Sequence, residues 1–266
     1  MIVPAPIPIT DDFLAAETER TLYDFSFAWE GLIERVSDYG DVVIRALPEV
    51  GPNLAGWVAP IAIDPARADE RLDELWPEYG ERPFRWLIGP GSQPPDLTER
   101  LLARGLTVLT EWDGLALTDL GAEIPHNPDL MIEPLHEGNA EEFVALFASR
   151  GPAAQENQLA GARRYLKSPQ QEARIYCSRL AGRIAGYTTL RLEPTGVAYL
   201  RQAFTAPEYR GRHVYLTGVA HRLAVAREAG CTAAVAQAMA QTSSPVLQKY
   251  GFRKVSRLRA LGHATE

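Results

Sequence analysis

Residues Thr205 to Val214 read T-A-P-E-Y-R-G-R-H-V, and their types and order suit the holding of an anion. Arg210 and Arg212 carry permanent charges whose planar donors match phosphate oxygens. Gly211, between them, lets the main chain turn tightly. Just downstream, Leu216, Val219, Ala220, Leu223 and Ala226 recur at helical spacing, and Gly230 ends the pattern. The first amides of such a helix lack partners within it, and its dipole adds partial positive charge there. The expectation is a diphosphate cradle made of main-chain amides and two arginines. An ordinary strand-to-helix turn with solvated arginines is the alternative.

The flanking segments must position that loop. Val197 to Phe204 alternates apolar and polar residues and reads as the strand that enters it. After Gly230, the small apolar run Thr232 to Met239 reads as a buried strand. Q-T-S-S-P-V-L-Q-K-Y-G-F then gives a short helix ending at Gly251-Phe252. Ser243 or Ser244 is expected to cap that helix, with Pro245 in its first turn.

In this order of strand, Arg/Gly loop, helix, strand, short helix and Gly-Phe, the chain resembles the GNAT acyltransferase superfamily, which transfers acyl groups from acyl-coenzyme A. The resemblance runs from about Leu130 to the C-terminus and is strongest from Ala198 to Phe252. It implies that Arg210, Gly211, Arg212, His213, Val214 and Tyr215 fill the six positions of the Q/R-x-x-G-x-G/A pyrophosphate motif. It also implies that the backbone of Phe204 and Thr205 pairs with the pantetheine arm of acetyl-coenzyme A, and that Ser243 to Phe252 lie beside the acyl end. Two residues depart from the motif: His213 replaces a glycine, and Tyr215 a glycine or alanine. A histidine can still offer its backbone N–H with the ring turned outward, and the tyrosine ring can turn away from the ligand.

The acid–base groups of the family are harder to find. Many members place a tyrosine in the helix before the Gly-Phe turn, and that position is Leu247 here. Many place a glutamate on the strand before the loop. This one reads G-V-A-Y-L-R-Q-A-F, with Glu193 only in the preceding turn. Ser243 and Tyr250 are the candidate donors, and Tyr199, Gln202 and Ser244 are further polar groups nearby. Packing or solvation accounts for each of them at least as well. Loss of acid–base groups removes about 10²- to 10⁴-fold in rate, which leaves a reaction driven by positioning possible.

The whole chain bounds the function. With 266 residues it accommodates two domains. Its formal net charge of −7 argues against broad nucleic-acid binding and mildly favours cationic acceptors such as amines. The start, I-V-P-A-P-I-P-I-T-D-D, shows neither an export signal nor a membrane span. Cys177 and Cys231 are far apart and without metal spacing, and the histidines form no cluster. The expectation is therefore a cytoplasmic protein with no disulfide framework and no metal.

An internal repeat adds organisation. Phe84 to Leu106 and Val235 to Phe252 each run strand, Ser/Pro turn, proline-begun helix, then Gly plus an apolar residue, the first helix expected about one turn longer. Trp57 to Leu75 has a strand and a helix, but the helix start carries Asp64, Asp69 and Glu70 in place of a glycine cradle. Acids at that end suit the dipole and oppose a bound diphosphate. Leu120 to Leu130, with two prolines and a glycine, reads as a linker. Beyond it, Asn139 is expected to cap a helix over Ala140 to Ser149, and a hairpin is expected around Ala181-Gly182.

The expected fold is α/β (mixed α+β), with two GNAT-like domains, each a twisted mixed sheet flanked by helices. Residues 1–122 would form a degenerate copy, 123–129 a linker, and 130–266 the acetyl-coenzyme A-binding domain. The expected reaction is direct transfer of an acetyl group to an amine of a small molecule or peptide, with a homodimer possible. The alternatives are a coenzyme A-binding sensor without turnover, motivated by the missing Tyr and Glu, and an acyltransferase for longer chains, motivated by Ala236, Ala238 and Ala240.

Overall fold

A computed structural model describes residues 8–23, 35–46, 56–148, 152–168 and 173–264. The elements in chain order are α1 (Asp11–Tyr23), β1 (Arg35–Asp38), β2 (Val42–Ala46), β3 (Gly56–Ile61), α2 (Ala68–Leu75), β4 (Phe84–Ile88), α3 (Leu97–Ala103) and β5 (Thr107–Leu117). They continue with β6 (Met131–Pro134), α4 (Ala140–Ala145), α5 (Pro152–Lys167), β7 (Ala173–Leu180), β8 (Arg183–Leu192), β9 (Val197–Thr205) and α6 (Val214–Glu228). The last three are β10 (Ala233–Met239), α7 (Ser243–Gln248) and β11 (Arg253–Gly262). The mixed α/β expectation holds.

Two compact units interleave along the chain. One is built mainly from Thr10–Leu115, Gln237–Gln248 and Lys254–Glu266, and the other from Ala116–Ala236 with Lys249–Arg253. In the first, the strand order is β1-β2-β3-β4-β11-β5. The steps from β1 to β3 are antiparallel, β3 to β4 is parallel, and the chain's last strand, β11, runs antiparallel to β4. Its core gathers Ile44, Val58, Leu72, Trp86, Leu101 and Leu261. Burying six side chains of this size contributes roughly 10 kcal/mol towards holding helices α2 and α3 on the sheet.

The second unit repeats that plan. β6, β7, β8 and β9 are antiparallel neighbours, and β9 to β10 is a single parallel step. In both units the parallel step is made through a helix, α2 between β3 and β4 and α6 between β9 and β10. A parallel pair needs such a crossover because its strands start at the same end. The expected hairpin joins β7 to β8, with Ala181 at φ 49° and Gly182 at φ 80°. Two successive left-handed residues give the turn that matches strand twist.

Several local expectations are revised. Helix α3 has 7 residues and α7 has 6, so the first copy is longer by one residue rather than a turn. Asn139 does not cap α4; its side chain accepts from His136 N at 2.9 Å and donates to Glu133 and to Pro134 O. Both Cys177 and Cys231 are free thiols, and burial pushes the Cys177 thiol up to about 12, which makes it a packing residue rather than a nucleophile.

Candidate cofactor loop and active site

Strand β9 delivers the loop. Its ladder to β10 covers Val197, Ala198 and Tyr199 opposite Ala233, Ala234 and Val235, and ends there. From Leu200 to Thr205 the strand continues beside β8 alone, with Phe204 opposite Tyr187 and Thr205 opposite Gly186. Gly186 is required at that step, since a Cβ there would stand 2.3 Å from Phe204 O. Between Thr188 and Thr189 the β8–β9 register shifts, from Ala203 to Arg201, so Gln202 is an extra residue bulged out of the strand. Gln202 and Ala203 are exposed.

Beyond β9, a single 3-10 turn, Pro207–Tyr209, lifts the chain, with Tyr209 N donating to Ala206 O and Arg210 N to Pro207 O. Tyr209 packs against the cluster of Leu180, Ala185 and Val214, as Leu130 does. The guanidinium of Arg212 lies over the Tyr209 ring, 6.0 Å from its centre, which holds that charge beside the loop. Gly211 stands at φ 76° and His213 at φ 57°, two left-handed residues flanking Arg212. Such alternation turns successive N–H groups to one side, the arrangement of an anion nest.

Helix α6 then begins without a cap. His213 occupies the N-cap position and its side chain makes no capping hydrogen bond. The first intrahelical bonds run from Thr217 N and Thr217 Oγ1, both to His213 O. Among the described residues, the amides of Gly211, Arg212, His213, Val214, Tyr215 and Leu216 have no main-chain acceptor. The corresponding helix start of the first unit differs: Asp64 Oδ1 accepts from Ala66 N at 2.9 Å and fills that place with a carboxylate. One start supplies its own anion and the other leaves its donors open. The donor set of α6, with Arg210 and Arg212 exposed beside it, fits a diphosphate.

The two departures from the motif are explained by backbone and burial. His213 sits in the left-handed region, which glycine enters without cost, and it is exposed. Tyr215 is half-buried; burial pushes its phenol up, and the Arg222 guanidinium works against that shift.

Arg222 is a group that sequence reasoning passed over. It lies on the apolar stripe of α6, three residues after Val219 and four before Ala226, and only 1 % of it is exposed. Nε donates to Gly218 O at 3.0 Å, while Nη1 serves Thr189 O at 3.1 Å and Arg201 O at 2.9 Å. Burial lowers its pKa to about 10, so it stays charged at neutral pH. Neighbouring His221 packs edge-on to Tyr176 with ring centres 4.6 Å apart; burial, reinforced by Arg222, pushes the imidazole down and keeps it neutral.

The candidate donors fall in different compact units. Tyr250 lines a cavity of about 530 Å³ with Leu120–His126 and with Ala220, Leu223, Ala224 and Arg227 of α6. Ser243 belongs to the other compact unit. There Ser244 is fully buried, donating to Asp113 Oδ2 at 2.7 Å and accepting from Gln248 Nε2 at 2.9 Å. Ser244 lies inside α7 rather than ahead of it, and its hydroxyl serves the Asp113 carboxylate. Leu247 is buried, and the Tyr199 side chain is buried as well.

Comparison with known proteins bears on the family and the fold. Residues 132–252 match the model of the Acetyltransferase (GNAT) family. That segment is an acyltransferase domain of a class that draws its acyl group from a coenzyme A thioester. Among solved structures, a GCN5-related N-acetyltransferase from Kribbella flavida superposes with a TM-score of 0.66 at 16% identity, covering 98% of this chain and 97% of that one. A tandem GNAT protein from the clavulanic acid biosynthesis pathway gives 0.60 at 16% identity, covering 96% of each chain. A GCN5-related N-acetyltransferase from Sphaerobacter thermophilus gives 0.59 at 15%, covering 95% and 92%. At these identities the likeness is one of fold, and it extends over nearly the whole chain. No curated protein matches. Among the described residues, no helix is long and apolar enough to cross a membrane, and no group of His, Cys, Asp or Glu is arranged to hold a metal ion.

Proposed function

We propose that the second unit binds acetyl-coenzyme A and transfers its acetyl group to an amine of a small molecule or peptide by direct attack. The observation that carries this is the open start of α6, where the amides of Gly211 to Leu216 have no main-chain acceptor beside Arg210 and Arg212. These residues, with Val214, would hold the diphosphate. Phe204 and Thr205, on a stretch of β9 that has left β10, would pair with the pantetheine arm.

In the reaction, the amine nitrogen forms a bond to the thioester carbonyl carbon, the C–S bond breaks, and the thiol leaves with a proton drawn from the amine. Positioning the two reactants supplies most of the rate in such a step, and a donor near the carbonyl oxygen adds to it. Ser243 and Tyr250 are the proposed donors. The first unit, whose helix start is closed by Asp64, is on this reading a degenerate copy that completes the fold without a cofactor of its own.

Calorimetric titration of acetyl-coenzyme A into the wild type and into Gly211→Asp tests the reading. Binding that disappears with the introduced carboxylate supports it, and no binding to the wild type sinks it. A second reading, a cofactor-binding sensor without turnover, draws on the buried Leu247 at the tyrosine position and on the absence of a carboxylate along β9. Release of free thiol from acetyl-coenzyme A above background in the presence of amines, lost in Gly211→Asp, would remove it.

A further inference from the structure

Arg222 is a fully buried charge whose acceptors are three main-chain oxygens, drawn from α6, β8 and β9. Taking a guanidinium out of water is costly, and an apolar side chain of similar length on this stripe would avoid that cost. What an apolar residue cannot do is satisfy Thr189 O and Arg201 O. These two residues face each other across β8 and β9 immediately beside the Gln202 bulge. Beside this slip in register both of their oxygens accept from one nitrogen, Arg222 Nη1. The arginine therefore bridges α6, β8 and β9 beside the bulge.

The place of the bulge matters. The β9–β10 ladder ends at Tyr199, and Arg201 is two residues further on. Arg222 thus grips β9 just where the strand has parted from its neighbour and is about to present Gln202 to Thr205. The same helix begins at the diphosphate loop, with Arg222 about 13 Å along its axis from His213 by helical rise. One rigid rod carries both the anion-holding end and the grip on the strand.

We infer that Arg222 is a positioning residue for acyl transfer, fixing the bulged edge of β9 at a set distance from the diphosphate loop so that the thioester end of the cofactor is held in register. This rests on the proposed cofactor site, and the test separates the two. Acetyl-coenzyme A and 3′-phospho-ADP, which is the part of the cofactor that reaches only the loop, are titrated into wild type, Arg222→Met and Arg222→Lys, with melting temperature measured for each. In Arg222→Met, affinity for 3′-phospho-ADP is expected to stay within about twofold of wild type, while affinity for acetyl-coenzyme A falls about tenfold or more. Arg222→Lys, which keeps a donor, is expected to recover part of the loss. Equal change for both ligands, or none, in a folded variant overturns the inference. Should the Met variant not fold, the Lys variant decides by the same ratio: a wild-type ratio rejects the role. Failure of the wild type to bind either ligand rejects the cofactor site instead.

Discussion

The side-chain amide of Asn127 donates to the main-chain oxygen of Arg212 across 3.1 Å, and its own main-chain N–H donates to Thr217 Oγ1 at 2.9 Å. Thr217 in turn donates through both its amide and its hydroxyl to His213 O. A segment with the composition of a linker is therefore tied to the loop that carries Arg212 and His213. Asn127 Oδ1 also accepts from Asp129 N, which fixes the side chain for this task.

Asn127→Ala removes the brace while leaving the main-chain bond to Thr217. The lost hydrogen bond is worth about 1 kcal/mol, a factor of about five in an equilibrium constant. The variant is expected to bind acetyl-coenzyme A several-fold more weakly with little change in melting temperature. Unchanged affinity by calorimetry would show that the loop holds its shape without the segment.

His213 should tolerate glycine better than any branched residue. Its φ of 57° costs a residue with a Cβ about 1–2 kcal/mol, and glycine is relieved of that strain but loses more chain entropy on folding. His213→Gly is expected to stay within about 1 kcal/mol of wild type in stability and to bind acetyl-coenzyme A at least as tightly. His213→Val, whose branched Cβ crowds this region, is expected to lose about 1–2 kcal/mol or more. Denaturant titration of the two variants checks the order; a valine variant as stable as the glycine one would contradict it.

Asp113 links stability to pH. Burial acts to raise its carboxyl, but the Lys254 ammonium and the Ser244 hydroxyl outweigh burial and hold it below the ordinary carboxylate range. A depressed folded-state pKa contributes stability that is present above the unfolded value of about 3.9 and lost as pH falls through the folded one. Wild type is therefore expected to lose stability on acidification below about pH 4 more steeply than Asp113→Asn. Parallel melting curves for the two from pH 6 to pH 3 would refute this.

Much of the second unit was legible because its signals are local. The alternation of Val197 to Phe204, the Arg/Gly cluster and the apolar stripe of α6 each report their own conformation, and the structure places β9, the loop and α6 where they predict. The hairpin at Ala181-Gly182 was legible for the same reason. Arg222 was not, although its spacing puts it on the buried face, because its acceptors come together only once two strands have paired. Asn127 was hidden because proline and glycine around it describe chain stiffness and say nothing of contacts. The cap expected from Asn139 failed for a related reason: the same side chain can turn back to His136, and neighbouring Glu133 rewards that choice.

Gly218 shows how closely α6 is laid on the sheet. A glycine in a helix interior costs about 1 kcal/mol relative to alanine, so its place here needs a cause. A Cβ at Gly218 would stand 2.4 Å from Cγ2 of Thr188, and Thr188 is buried and branched at that carbon's parent, with little freedom to move. Gly218→Ala must then push the helix away from β8, costing about 1–3 kcal/mol despite better helix propensity. The displaced helix carries the open amides and Arg222 with it, so acetyl-coenzyme A affinity should fall alongside stability. Thr188→Ser deletes the offending methyl and keeps the hydroxyl. The double variant Gly218→Ala with Thr188→Ser is expected to regain most of both losses, whereas simple addition of the two single effects in melting and calorimetry would show that the contact does not set the height of the helix.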